Sequence, residues 1–159
     1  MATSSAIQLA DLALVWDERL GSADFVMLDG DLAVDAGFVT AIVLSLFLDR
    51  HAEPDDVPPS GDPNDRRGSW ADEFAAVEGD LYGSRLWLLD RSTRNSETPR
   101  RAEEYVREAL AWMLEDRVVA SIDVDIETTA NALLIRVTLH RPGRDPVAFR
   151  FAHVWNKPT

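Results

Sequence analysis

Apolar and polar residues alternate near both ends of the chain and recur every three to four positions between them. In "DLALVWD" (11–17), Leu12, Leu14 and Trp16 fall on one face, which predicts a strand. "DFVML" (24–28) is a second short strand candidate, and "DGD" (29–31) after it reads as a turn. The most apolar run is "AGFVTAIVLSLFLDR" (36–50). Asp35 and Gly37 suit a helix start and Asp49–Arg50 an exit, and the length favours a helix over a buried strand, which the same letters also permit. A helix this apolar is expected to be buried on most sides, as the central helix of a domain or by meeting a partner. It is far shorter than the ~20 residues that span a bilayer.

The clearest helix is "TPRRAEEYVREALAWMLEDR" (98–117), with Thr98 as N-cap and Pro99 in the first helical position. Ala102, Tyr105, Val106, Ala109, Leu110, Met113 and Leu114 form one apolar stripe, and Arg101, Glu104, Arg107 and Glu108 lie mainly opposite. Three strands follow, at 118–127, 132–140 and 147–154. Ile122, Val124 and Ile126, then Leu133, Ile135, Val137 and Leu139, then Val147, Phe149 and Phe151 face inward, and turn residues link the strands. The pattern predicts an antiparallel meander with one wet face and the long helix on the dry one. The fold class is α+β: a small antiparallel C-terminal sheet, the three-strand meander plus N-terminal strands, packed against two main helices. At 159 residues a single domain is expected over 1–159.

Between the two helical patterns, residues 51–83 form a long loop rich in Pro, Gly and acids, with Pro54, Pro58, Pro59 and Pro63 in its first half. Loops this long are usually functional or disordered. Trp70, Phe74 and Tyr82 argue that the second half packs on something. "SRLWLLD" (84–90) is a short apolar stretch after it.

Charge sharpens the picture. The chain carries −12 net, and residues 1–65 hold 13 acids against two bases, whereas residues 66–107 hold eight of each. Such a field repels phosphate backbones, so binding to nucleic acid or to an anionic membrane is not expected. Solvated acids aid solubility, and a basic protein partner also fits. Fifteen of the 16 bases are arginine, the better interface residue, although genome base composition can produce the same bias. There is no cysteine. The first 20 residues lack a basic n-region, and Asp11, Asp17 and Glu18 interrupt their apolar residues, so no signal peptide is expected.

A search for chemistry finds little. His51, His140 and His153 have no partner at i+4, and "DPNDRRG" (62–68) puts Arg66 and Arg67 where a calcium loop needs a ligand and a glycine. No GxGxxG, GxxxxGK[ST] or GxSxG is present. Glu73, Glu78 and Asp80 could supply the two carboxylates of a glycosidase, but a chain with 28 acids always has some pair nearby. No catalytic, cofactor or metal residue is assigned. What remains is Arg66 and Arg67 near Trp70, and Arg85 near Trp87, residue types enriched both at interface hot spots and in internal stacking.

Several stretches then match a known pattern: "DLALVWD", "DGDLAVDAGFVTAIVLSLFLDRHA", "DRRGSWADEF", "GSRLWLLDRS" and "AEEYVREALAWMLED", followed by the strand-rich tail. In order and spacing they resemble the Mu-type phage baseplate family called gene product forty-six, over nearly the whole chain. Two departures stand out. The family usually reads Arg-Gly-Trp-Trp where this chain has Arg67, Gly68, Ser69 and Trp70, and it usually has glycine where Arg117 stands. The resemblance implies a non-enzymatic structural component of a contractile-tail baseplate, similar to the sheath-initiating wedge protein of other contractile phages. It implies binding to a larger wedge protein, to sheath and to other baseplate proteins, with no cofactor. Its implied place is the virion tail baseplate, after synthesis in the bacterial host cytoplasm. Arg66, Arg67, Trp70, Arg85 and Trp87 are then candidate partner contacts, with internal bracing of the long loop as the rival role. A tail-associated peptidoglycan hydrolase using the loop carboxylates is the alternative function.

Overall fold

The computed structural model describes residues 39–69, 72, 81–90, 97–129 and 132–153 in full. It describes the backbone alone at 11–12, 14–17, 22–25, 27–28, 31–32, 34–35 and 154. Trp70, Glu73, Phe74, Glu78 and Asp80 lie outside the described residues, as do the side chains of Leu12, Leu14 and Trp16.

The N-terminal strands fold back on one another. β1 (Asp11–Leu12) pairs with β6 (Val34–Asp35), β2 (Leu14–Asp17) with β3 (Ser22–Phe25), and β4 (Met27–Leu28) with β5 (Asp31–Leu32), all antiparallel. The pairing Leu28↔Asp31 leaves only Asp29 and Gly30 between β4 and β5, where the sequence suggests a turn. β2 runs alongside helix α1 (Val39–Phe47).

The apolar run is a helix, as its length suggests. It is buried on most sides, as a helix this apolar should be. Thr40, Ile42, Val43 and Leu46 are buried, whereas Leu44 is 42% exposed and Leu48 37%. Val39, Ala41 and Phe47 pack partly buried against the same core, so Leu44 is the one exposed side chain of α1.

The long helical pattern divides. α2 (Glu97–Ala109) and α3 (Ala111–Glu115) meet at Leu110, whose backbone (φ −102°, ψ 2°) leaves the helical region. Across the break Met113 N–H reaches the Leu110 carbonyl three residues back. The apolar stripe gave no sign of this, because no glycine or proline stands there. Met113 stays fully buried, but Leu114, a member of the expected stripe, is largely exposed. At the other end α2 begins at Glu97, so Thr98, the expected N-cap, sits buried inside the first turn instead. Pro99 is also in that first turn, where a missing N–H costs nothing. On the outer face Arg100 pairs with Glu104, and Arg107 with Glu103.

The sheet is antiparallel in the order β7 (Ser121–Thr128), β8 (Ala132–His140), β9 (Val147–Val154). Leu133, Ile135, Val137 and Leu139 of the central strand are fully buried, each contributing about 1.5–3 kcal/mol. Ile122, Val124, Ile126 and Phe149 of the flanking strands are partly buried against the same core. α2 packs alongside β7. β7 starts three residues later than its apolar pattern suggests, because the end of α3 captures that segment. Arg117 N–H bonds the Leu114 carbonyl, and Val118 and Val119 N–H both bond that of Met113.

Candidate functional site

The arginine–aromatic residues singled out in the sequence gather where the long loop, the 3-10 turn Leu86–Leu89 and α2 meet. All four residues of that turn are buried. The segment entering it is tied to the end of α1. Arg50 N–H donates to the Ser84 carbonyl (3.0 Å) and Ser84 N–H to the Leu48 carbonyl (2.9 Å). The Ser84 hydroxyl donates to the Leu46 carbonyl and accepts from Leu86 N–H. One buried serine thus satisfies an orphan carbonyl of α1 and an orphan amide of the next turn. Gly83 makes the approach feasible, since a Cβ there would lie 2.3 Å from the Leu48 carbonyl oxygen.

Arg85 leaves this junction toward α2. Its Nε bonds Glu108 Oε2 (3.0 Å), its Nη1 bonds Asp56 Oδ2 (3.0 Å), and its guanidinium lies 4.9 Å from the centre of the Tyr105 ring. Burial works against its charge, but the Asp56 hydrogen bond and the Glu108 field outweigh that, and its pKa is raised. Burial likewise raises the Tyr105 phenol. Arg50 approaches the same Glu108 at 3.7 Å. A part-buried charge cluster of this kind holds together because the Arg85 guanidinium meets two carboxylates with directed bonds.

Arg66 and Arg67 point to different tasks. Arg66 turns back into the loop, where its Nη1 donates to the Glu53 carbonyl (2.8 Å) and its Nη2 approaches the Pro54 carbonyl (3.4 Å). Asp62 and Asn64, and Ser60 and Asp65, bond one another around it, so residues 53–65 have a defined path. Arg67 reaches Asp49 (2.8 Å), and its guanidinium lies 4.3 Å from the Trp87 ring centre. Trp87 is 3% exposed, with its indole N–H on the Arg50 carbonyl (2.9 Å). Arg67 has φ 47°, a left-handed conformation that costs an L-residue about 1–2 kcal/mol. Asp49, Trp87 and a bond from His51 Nδ1 to the Arg67 carbonyl hold it there. A third of the Arg67 side chain remains exposed.

Four of the five candidate residues are therefore brought to one region, each engaged within the chain. Trp70 falls outside the described residues. So do Glu73, Glu78 and Asp80, on which the hydrolase alternative rests. Asp56, Glu108, Asp49, Ser84 and Gly83 complete the region and were not singled out in the sequence. They stand 18 to 38 residues from the groups they meet, so no local spacing marks them. Asp72 was missed in the same way: its carboxylate accepts from Ser69 N–H (3.0 Å) and Tyr82 N–H (2.9 Å). Among the described residues no three His, Asp or Glu side chains converge as a metal site, and no helix is long and apolar enough to cross a membrane.

The sheet offers a second surface. His140 and Asp123 (2.6 Å) and Arg136 and Asp125 (2.8 Å) pair across its wet face. The edge at β7 is partly covered, since Arg107 Nη1 donates to the Ile122 carbonyl (3.3 Å). No described strand lies outside β9.

Comparison with known proteins identifies relatives along most of the chain. The family described as Phage protein GP46 matches residues 38–146. The "Baseplate protein gp46" of Escherichia phage Mu is 33% identical over 150 residues, covering 93% of this chain and 99% of that protein. The "Mu-like prophage FluMu protein gp46" of Haemophilus influenzae is 33% identical over 116 residues, 73% of this chain and 75% of that protein.

Proposed function

The chain belongs to the Phage protein GP46 family, and on that premise we propose that it is a structural component of a contractile phage tail baseplate, binding a larger wedge protein and helping to nucleate the sheath. The observation that carries this reading is the extent of the likeness: it runs through 93% of this chain and 99% of a baseplate protein's length, far more than a shared module. The working place is then the virion tail baseplate.

Two surfaces support the finer reading. The outer edge of β9 presents main-chain groups that no described strand pairs with, and such an edge accepts a strand from a neighbour. The loop corner at Arg66, Arg67, Arg85 and Trp87 supplies the second, and Trp70, close by in sequence, is proposed to act with it. Trp87 is too buried to meet a partner itself, so its part is to hold Arg67, whose exposed flank and fixed left-handed backbone form the contact. No observation favours the hydrolase reading.

Deleting the gene from a producing strain tests the assembly role. Particles should then carry tubes without ordered sheath, and normally sheathed tails would sink the proposal. Co-expression with the neighbouring wedge protein tests the loop: the complex should be lost in Arg67→Ala plus Trp70→Ala. Undiminished co-purification would move the contact away from residues 66–70.

A further inference from the structure

An open groove of about 320 Å³ runs between α1, α3 and the segment 81–83, and none of the candidate arginines lines it. Leu44 forms one wall and Tyr82 another, and both are more than 40% exposed. Trp112 lines it from α3, its indole N–H fixed on Ser45 Oγ of α1 (3.1 Å). With the polar edge of that ring already bonded, what the ring offers the groove is apolar surface. The exposed large apolar side chains among the described residues are Leu44, Leu48, Val57, Tyr82 and Leu114. All but Val57 belong to the elements that wall this groove or to the residue next to α1. Among the described residues of the groove lining one is charged, Asp116, which caps the end of α3. Asp116 is exposed, and no described cation pairs with its carboxylate.

We propose that this groove docks a short segment of another protein chain that carries an aliphatic side chain beside an arginine or lysine. The aliphatic group fills the space between Leu44, Tyr82 and Trp112, and the cation meets Asp116. Aromatic rings held rigid in a concave apolar site are the usual anchors of such recognition. The Asp116 carboxylate at the rim, with which no described cation pairs, selects the sign of the neighbouring charge. A second copy of this chain is the weaker fit: the copy would bring its own acidic field, with a net charge of −12, to an acidic rim.

The proposal stands apart from the baseplate reading, since it needs no particle to test it. The isotope-labelled full chain is titrated with two capped hexapeptides, Leu-Leu-Arg-Leu-Leu-Arg and Leu-Leu-Glu-Leu-Leu-Glu. The signals followed are the Trp112 indole and the Leu44 methyls. The arginine peptide should shift both saturably and the glutamate peptide at least tenfold more weakly. Asp116→Asn should weaken binding of the arginine peptide about three- to tenfold, and Leu44→Ser should abolish it. Leu44 is already 42% exposed, so Leu44→Ser should leave the chain folded with a slightly lowered thermal midpoint, and Asp116→Asn reports independently of that. Equal binding of both peptides, or no saturable shift at Trp112 and Leu44, overturns the proposal. So does a concentration-dependent dimer that Leu44→Ser dissolves, because the groove would then belong to a second copy.

Discussion

Two positions place opposite demands on a side chain in the left-handed region. Gly83 (φ +88°) sits against the Leu48 carbonyl, where any Cβ would meet backbone at 2.3 Å. Backbone on that side cannot give way, because Ser84 N–H is bonded to the same carbonyl. Gly83→Ala should therefore destabilise the chain by about 2–4 kcal/mol, read as a lower midpoint in urea unfolding. A loss under about 0.5 kcal/mol would mean that the junction between residues 48 and 84 is looser than its bonds imply. Arg117 (φ 57°) is the reverse case. It occupies the position after the α3 cap, and the bonds from Arg117 and Val118 to Leu114 and Met113 form a Schellman pair, in which glycine is the usual residue. Arg117 is exposed, with no described ion pair to lose. Arg117→Gly should stabilise by about 0.5–1 kcal/mol in the same assay. Destabilisation would show that the arginine side chain contributes more than its backbone costs.

At the scale of elements, one carboxylate ties the two ends of a loop. Asp72 accepts from Ser69 and from Tyr82, ten residues further on. Amides bonded to a carboxylate each contribute about 1.5–3 kcal/mol. Asp72→Ala should speed hydrogen exchange at the Ser69 and Tyr82 amides by about tenfold or more while α2 keeps its protection. Unchanged exchange at both would show that the loop ends are held by other contacts. Nothing in the spelling of the loop marks Asp72, for its partners are backbone groups brought near by the fold. The elements themselves were far more legible. Period-two alternation in residues 132–140 set β8 to the residue, because one face is fully dry and a slip would drown Leu133, Ile135, Val137 and Leu139. The α2 stripe was equally plain, yet the break at Leu110 was not. Spacing of three to four continues through it, and the turn answers to tertiary packing on either side. In the candidate site the arginines and Trp87 were legible by residue type. Their carboxylate partners were not, since Asp56 and Glu108 reach Arg85 from 29 residues before and 23 after.

Across the whole molecule, charge is divided between inside and outside work. Arg50, Arg66, Arg67 and Arg85 are held by carboxylates or carbonyls of their own chain. Their positive charge is largely spent internally, and the surplus of acids, −12 net, gives the chain a negative long-range field. A long-range field of this sign speeds encounter with a basic surface and slows it with an acidic one, and salt removes the difference. On the proposed function, association with a wedge partner that presents a basic surface should thus slow several-fold between 50 and 500 mM salt, as screening shortens from above ~10 Å to a few ångströms. Dissociation should change much less, because contacts made through a strand edge or the apolar groove are short-ranged. Surface plasmon resonance at three salt concentrations separates the two rates. An on-rate indifferent to salt would mean that the acidic field faces away from the partner, leaving those acids to solubility alone.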